Sequence, residues 1–89
     1  MNTKGPFIEN DFNLEKKKIG IRLKQIRKQK GYTSHEKFAY DNGFDRAQYG
    51  KYEAGSSNIT LSTFLSILNK LEVRLSYFFS EEYDSINVE

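Results

Sequence analysis

Eighty-nine residues leave room for one domain, which buries only about 60–65% of the surface its unfolded chain exposes, so the core must be compact and a deep catalytic cleft is disfavoured. Hydrophobic residues at 37%, charged residues at 29%, seven Phe and six Tyr describe a soluble globular chain, and zero Cys excludes disulfide staples, thiolate zinc sites and a cysteine nucleophile. The net charge is only +2, no apolar run approaches the ~18 residues of a membrane helix, and the polar N-terminus holds no signal-peptide core, so a cytoplasmic protein without a membrane partner is expected.

Residues 1–14 read as an N-terminal arm: Phe7, Ile8, Phe12 and Leu14 are its apolar groups, and Gly5-Pro6 argues against helix there. The first helix is expected over residues 15–30, with Ile19, Leu23 and Ile26 as a narrow apolar stripe and Gly31 as its stop. Residues 16–30 carry eight Lys and Arg and no acid, whereas both ends of the chain are acidic. A basic block of helix length suits a polyanion, although a solvated helix face gives the same pattern.

Ser34 is the cap of a short second helix that buries Phe38 and Ala39 and stops at Asn42-Gly43. Asp45 caps a third helix running to Ala54, with Tyr49 and Tyr52 on its buried side and Gly55 at its end. Ser56-Ser57-Asn58 is a loop. Thr60 caps a fourth helix whose Leu61, Phe64, Leu65, Leu68 and Leu71 follow the spacing of a buried face. Leu75, Phe78 and Phe79 form the buried side of a short fifth helix, and residues 81–89 read as an acidic tail. No segment alternates as a strand. The fold class is all-α: a compact five-helix domain over residues 15–80.

The second and third helices, separated by a tight Gly-containing turn, form a helix-turn-helix unit. In such a unit the second helix enters the DNA major groove while the first crosses the backbone. The third helix here offers Arg46, Ala47, Gln48 and Lys51 on its polar side.

Residues 19–79 resemble the lambda-repressor-like helix-turn-helix family, which includes Cro and the xenobiotic-response-element regulators. The resemblance rests on Ile-Gly-x-Arg-Leu-x-x-Ile-Arg at residues 19–27, Ser34-His35-Glu36-Lys37-Phe38-Ala39 and Gly43-Phe44-Asp45-Arg46. Tyr49, Tyr52-Glu53-Ala54-Gly55 and Asn58-Ile59-Thr60-Leu61 continue it. Phe38-Ala39 and Asp45-Arg46, with a longer lead into the second helix, are similar to restriction–modification controller proteins.

The resemblance implies a sequence-specific double-stranded DNA-binding regulator, with a repressor acting on a palindromic operator as the expectation. It places Arg46, Ala47 and Lys51 at the base edges, and Asp45 and Gln48 near phosphates. A guanidinium can bridge O6 and N7 of guanine, Ala47 offers only an apolar contact, and Lys51 reaches either a base or a phosphate. Ser34 and His35 at the second helix N-terminus, Ser56, Ser57 and Asn58 in the loop, and Lys24 are further expected phosphate contacts, a structural turn role being open for the loop residues. His35 replaces the family's usual Gln. Gly50 permits close approach of DNA or of a neighbouring helix, or is simply tolerated. The family commonly pairs the positions of Arg27 and Glu53. Glu72 stands where the family often has Gly, and Arg74 where it often has a Ser or Thr cap, which implies a different joint between the last two helices.

Specificity normally requires two reading helices, so a homodimer is expected, with Tyr77, Phe78, Phe79, Tyr83 and Ile86 as its interface. A protein-interaction module on the same fold, such as an antitoxin whose apolar tail meets a toxin, is the alternative. No cofactor, metal site or catalytic constellation is expected: there is one His, no Cys and no Gly-rich phosphate loop.

Overall fold

The computed structural model describes residues 9–88. They contain the five expected helices, α1 (Phe12–Gln29), α2 (His35–Asp41), α3 (Arg46–Ala54), α4 (Leu61–Leu71) and α5 (Leu75–Phe78), then a further single turn, α6 (Glu81–Asp84). No strand occurs among the described residues, and no helix there is long and apolar enough to cross a membrane.

α1 begins before its apolar stripe does. Asp11 is the cap, accepting the Leu14 N–H at 2.9 Å, so Phe12 and Leu14 are helical rather than part of an arm. Phe7 and Ile8 lie outside the described residues. The other helix starts follow the same chemistry: Ser34 accepts from the Lys37 N–H at 3.1 Å, Asp45 from Gln48 at 2.8 Å and Thr60 from Thr63 at 3.2 Å.

The core joins Leu23 and Ile26 of α1, Phe38 and Ala39 of α2, and Tyr49 of α3 to Phe64, Ile67, Leu68 and Leu71 of α4. Phe78 and Tyr83 complete it. Phe38 sits at the centre of the α2–α3 corner, its ring centroid 4.9 Å from Tyr32 and 5.2 Å from Tyr49. At the other end Phe78 packs edge-on against Phe64 and Phe79, both at 4.8 Å.

Three leucines expected inside are turned out: Leu61 is 66% exposed, Leu65 38% and Leu75 44%. The buried face of α4 is centred on Phe64, Ile67, Leu68 and Leu71, about an eighth of a turn from the expected stripe. Two residues assigned to a dimer interface move the other way. Phe78 is fully buried, and buried Tyr83 donates its hydroxyl to the Glu15 carboxylate at 2.6 Å, because α6 folds back on α1. Ile86 is half-buried against the core, leaving Tyr77 and Phe79 exposed.

Arg22, one of the eight bases of the basic block, is fully buried. Its guanidinium donates to the carbonyls of Phe78 and Tyr77, both at 2.9 Å, and so caps the end of α5. Glu72 takes the left-handed conformation (φ 60°, ψ 44°) that favours glycine, and Arg74 starts α5 without a side-chain cap. The departure in residue type at this joint is therefore carried by a strained Glu backbone.

Candidate nucleic-acid interface

Nine residues make α3, and its faces separate cleanly. Tyr49 points into the core, whereas Arg46, Ala47, Lys51 and Ala54 are exposed and Gln48 and Gly50 half-buried. Helical spacing puts Ala47, Lys51 and Ala54 in one outward stripe, with Arg46 at its leading edge and Gly50 at its α2 side. Most of that stripe is methyl, so the helix is slim where it faces solvent. Its only long side chains are cationic.

α1 holds α3 at close range. A Cβ on buried Gly20 would lie 2.4 Å from the Glu53 carbonyl oxygen and 2.6 Å from that of Tyr52, so only glycine fits. On the other side of this contact Gly55 (φ 72°) ends α3 against Lys17, whose Cα would be 2.8 Å from an added Cβ. In the sequence, the place of Gly20 in an apolar helix stripe is the one signal for this close backbone approach, and residue type alone assigns it no role.

Beside this contact Arg27 and Glu53 form a forked ion pair. Nε meets Oε2 at 2.7 Å and Nη2 meets Oε1 at 3.1 Å, while Nη1 donates to the Tyr32 carbonyl at 2.6 Å. The side chains are 3% and 7% exposed, so Arg27 locks α1 to α3 rather than facing solvent. The paired Glu53 and its hydrogen bonds hold the guanidinium charged, raising its already high pKa against the opposing effect of burial. The Tyr49 hydroxyl is buried beside this pair without a hydrogen-bond partner; burial, then Glu53, pushes it well above the ordinary phenol range.

With Arg22 and Arg27 turned inward, exposed charge on α1 is lysine. Lys17, Lys24 and Lys28 share one exposed face, and that face flanks the contact with α3. Lys16 and Lys18 instead lie over the Phe12 and Tyr83 rings at 5.0 and 4.5 Å.

Residues 20–83 match a family described as a helix-turn-helix domain. The chain belongs to this helix-turn-helix family. It is 36% identical over 64 residues to the control protein C.MunI from Mycoplasma sp, a match covering 72% of this chain and 86% of that protein. It also resembles the crystal structure of the restriction-modification controller protein C.AhdI from Aeromonas hydrophila, with a TM-score of 0.69 and 31% identity over 79% of this chain and all of that one. Both the family and these controller relatives agree with a DNA-binding transcription regulator.

Within the helix-turn-helix frame, the remaining expected contacts are distributed as follows. The carboxylate of Asp45 is engaged in capping α3, accepting the Gln48 N–H at 2.8 Å. The amide of Gln48 donates to the Ser57 hydroxyl at 2.8 Å, fastening α3 to its following loop. Ser56 bonds weakly to the Lys51 carbonyl at 3.4 Å, and Asn58 is exposed. Ser34 is exposed at the start of α2, and Lys24 on the lysine face. His35 lies across Gly50: a Cβ there would be 3.1 Å from Nε2. This position is therefore packed against the His35 side chain of α2. Among the described residues no three His, Cys, Asp or Glu side chains gather as metal ligands.

Proposed function

We propose that this protein is a cytoplasmic transcriptional repressor that binds a palindromic operator as a homodimer, each copy inserting α3 into the major groove. The observation that carries this reading is the outward stripe of α3, thin at Ala47 and Ala54 and cationic at Arg46 and Lys51. A major groove about 12 Å wide admits such a helix, and its small residues let the backbone approach the bases. Arg46, Ala47 and Lys51 are the base-reading set, Arg46 with guanine as its preferred partner.

Phosphates on either side are met by Lys24, by Ser34 and His35 at the start of α2, by the α3 N-terminus at Asp45 with Gln48 beside it, and by Ser56, Ser57 and Asn58. The exposed apolar groups Leu61, Leu65, Leu75, Tyr77 and Phe79 supply a surface for a second copy. Phe64 and Phe79, with centroids 5.9 Å apart, connect the α4 and α5 portions of that surface. Phe38 packs the α2–α3 corner and the Arg27–Glu53 pair fastens α3 to α1, so two copies related by symmetry would present two reading helices at fixed spacing.

The test is selection from a random duplex library with the purified protein. The expected product is a two-fold symmetric consensus with half-sites about one helical turn apart. Enrichment of a single asymmetric site argues against the dimer. No enrichment above random DNA removes the reading altogether.

A further inference from the structure

Tyr40 is the most exposed of the large hydrophobic side chains described, at 71%, while its neighbours Phe38 and Ala39 are fully buried. One exposed tyrosine needs no explanation by itself. What sets this one apart is Arg46, whose guanidinium carbon stands over the Tyr40 ring, 5.7 Å from its centroid, across the turn from α2 to α3.

The acids nearest in sequence are engaged elsewhere. Asp41 meets the Lys37 ammonium at 3.1 Å, and Asp45 caps α3 at 2.8 Å. Among the described residues Arg46 makes no ion pair, and the Tyr40 ring is the group it packs against. The difference matters chemically. A carboxylate would occupy the guanidinium's N–H fork and cancel its charge. An aromatic ring attracts the cation without accepting those N–H groups in conventional hydrogen bonds, leaving the donors for another partner.

We propose that Tyr40 is a positioning residue for Arg46: its ring holds the guanidinium at the leading edge of α3 with the N–H fork free to bridge a guanine. Sequence discrimination then depends on an α2 side chain that itself reads no base. The ring narrows the orientations a flexible Arg side chain must give up on binding, which favours the bound geometry. This inference rests on the reading of Arg46 as a base contact.

The experiment measures duplex affinity by fluorescence anisotropy for wild type, Tyr40→Phe, Tyr40→Ala, Arg46→Ala and Tyr40→Ala/Arg46→Ala. The duplexes are the selected operator and a scrambled sequence of equal length. Tyr40→Ala is expected to weaken operator binding on the order of twofold to fivefold per half-site, the two factors multiplying on a symmetric site. Scrambled-duplex affinity and melting temperature stay unchanged, Tyr40→Phe behaves as wild type, and the double variant is no weaker than Arg46→Ala alone.

Equal loss on scrambled DNA, additive losses in the double variant, or failure of Phe to preserve affinity each overturns the positioning role. If Arg46→Ala itself leaves discrimination intact, the reading of α3 fails along with the inference. If Arg46→Ala abolishes discrimination while Tyr40→Ala does not alter it, the inference alone fails.

Discussion

Glu53→Leu removes the acidic half of the fork that fixes α3 on α1, leaving Arg27 with one charge, 3% side-chain exposure and only the Tyr32 carbonyl as partner. Breaking such a pair from one side costs about 3–5 kcal/mol. A domain of this size has a total stability of roughly 4–13 kcal/mol, from ~0.05–0.15 kcal/mol per residue. The single change is therefore expected to consume a large share of it. Arg27→Met is comparably damaging, since it strands Glu53 and also unpairs the Tyr32 carbonyl that Arg27 holds at 2.6 Å.

The Arg27→Met/Glu53→Leu double variant removes both charges and leaves only that carbonyl unpaired, costing about 1–3 kcal/mol. Its loss falls short of the summed single losses by at least about 3 kcal/mol. Urea unfolding followed by far-UV circular dichroism reads these differences as midpoint shifts, about 2 M for 3 kcal/mol at a slope near 1.5 kcal/mol/M. Additivity of the two single losses within about 0.5 kcal/mol would refute the coupling.

Other outcomes follow from the same coordinates. Glu72→Gly relieves a left-handed residue at φ 60° and should add about 0.5–1 kcal/mol after glycine's entropy is counted, raising the melting temperature by a few degrees; an unchanged or lower temperature contradicts the strain. The buried Tyr49 hydroxyl keeps its proton above the free-phenol value of 10.0, so its contribution is fully present below pH 10 and declines above it by about 1.4 kcal/mol per pH unit. Tyr49→Phe should flatten that alkaline loss and, by removing an unpartnered hydroxyl, leave neutral-pH stability equal or higher by about 1 kcal/mol; an unchanged alkaline slope in urea titrations contradicts the assignment. Leu65→Glu should convert a dimer to monomer in light scattering at micromolar concentration without lowering the melting temperature of the monomer, because the side chain is exposed.

Signals confined to a few neighbouring residues were legible in the sequence. Ser34, Asp45 and Thr60 cap helices because their oxygens reach N–H groups three residues on, whatever the rest of the chain does. α1 starts at Phe12 rather than at residue 15 because Asp11, three residues before Leu14, follows the same capping pattern. Burial was harder to read. Arg22 looks like surface charge until carbonyls 55 and 56 residues away surround it. Leu61, Leu65 and Leu75 look like core because side-chain type does not say which side of a short helix its neighbours cover.

The polar face of α3 was legible as a group of residues, since Tyr49 and Gly55 fix its buried side and end. Its relation to α1 was not. Gly20 and the Lys17–Lys24–Lys28 face acquire meaning only when the two helices are brought together, and Tyr40 only when the turn places it beneath Arg46.

The central claim is that the outward face of α3 reads sequence while α1 supplies charge. It is tested most directly by the ratio of dissociation constants for operator and scrambled duplex, measured at fixed salt for wild type, Arg46→Ala and Lys24→Ala. Arg46→Ala should move that ratio toward one by the equivalent of about 1–3 kcal/mol per half-site, whereas Lys24→Ala should weaken both duplexes alike and leave it unchanged. A wild-type ratio retained by Arg46→Ala would contradict the account.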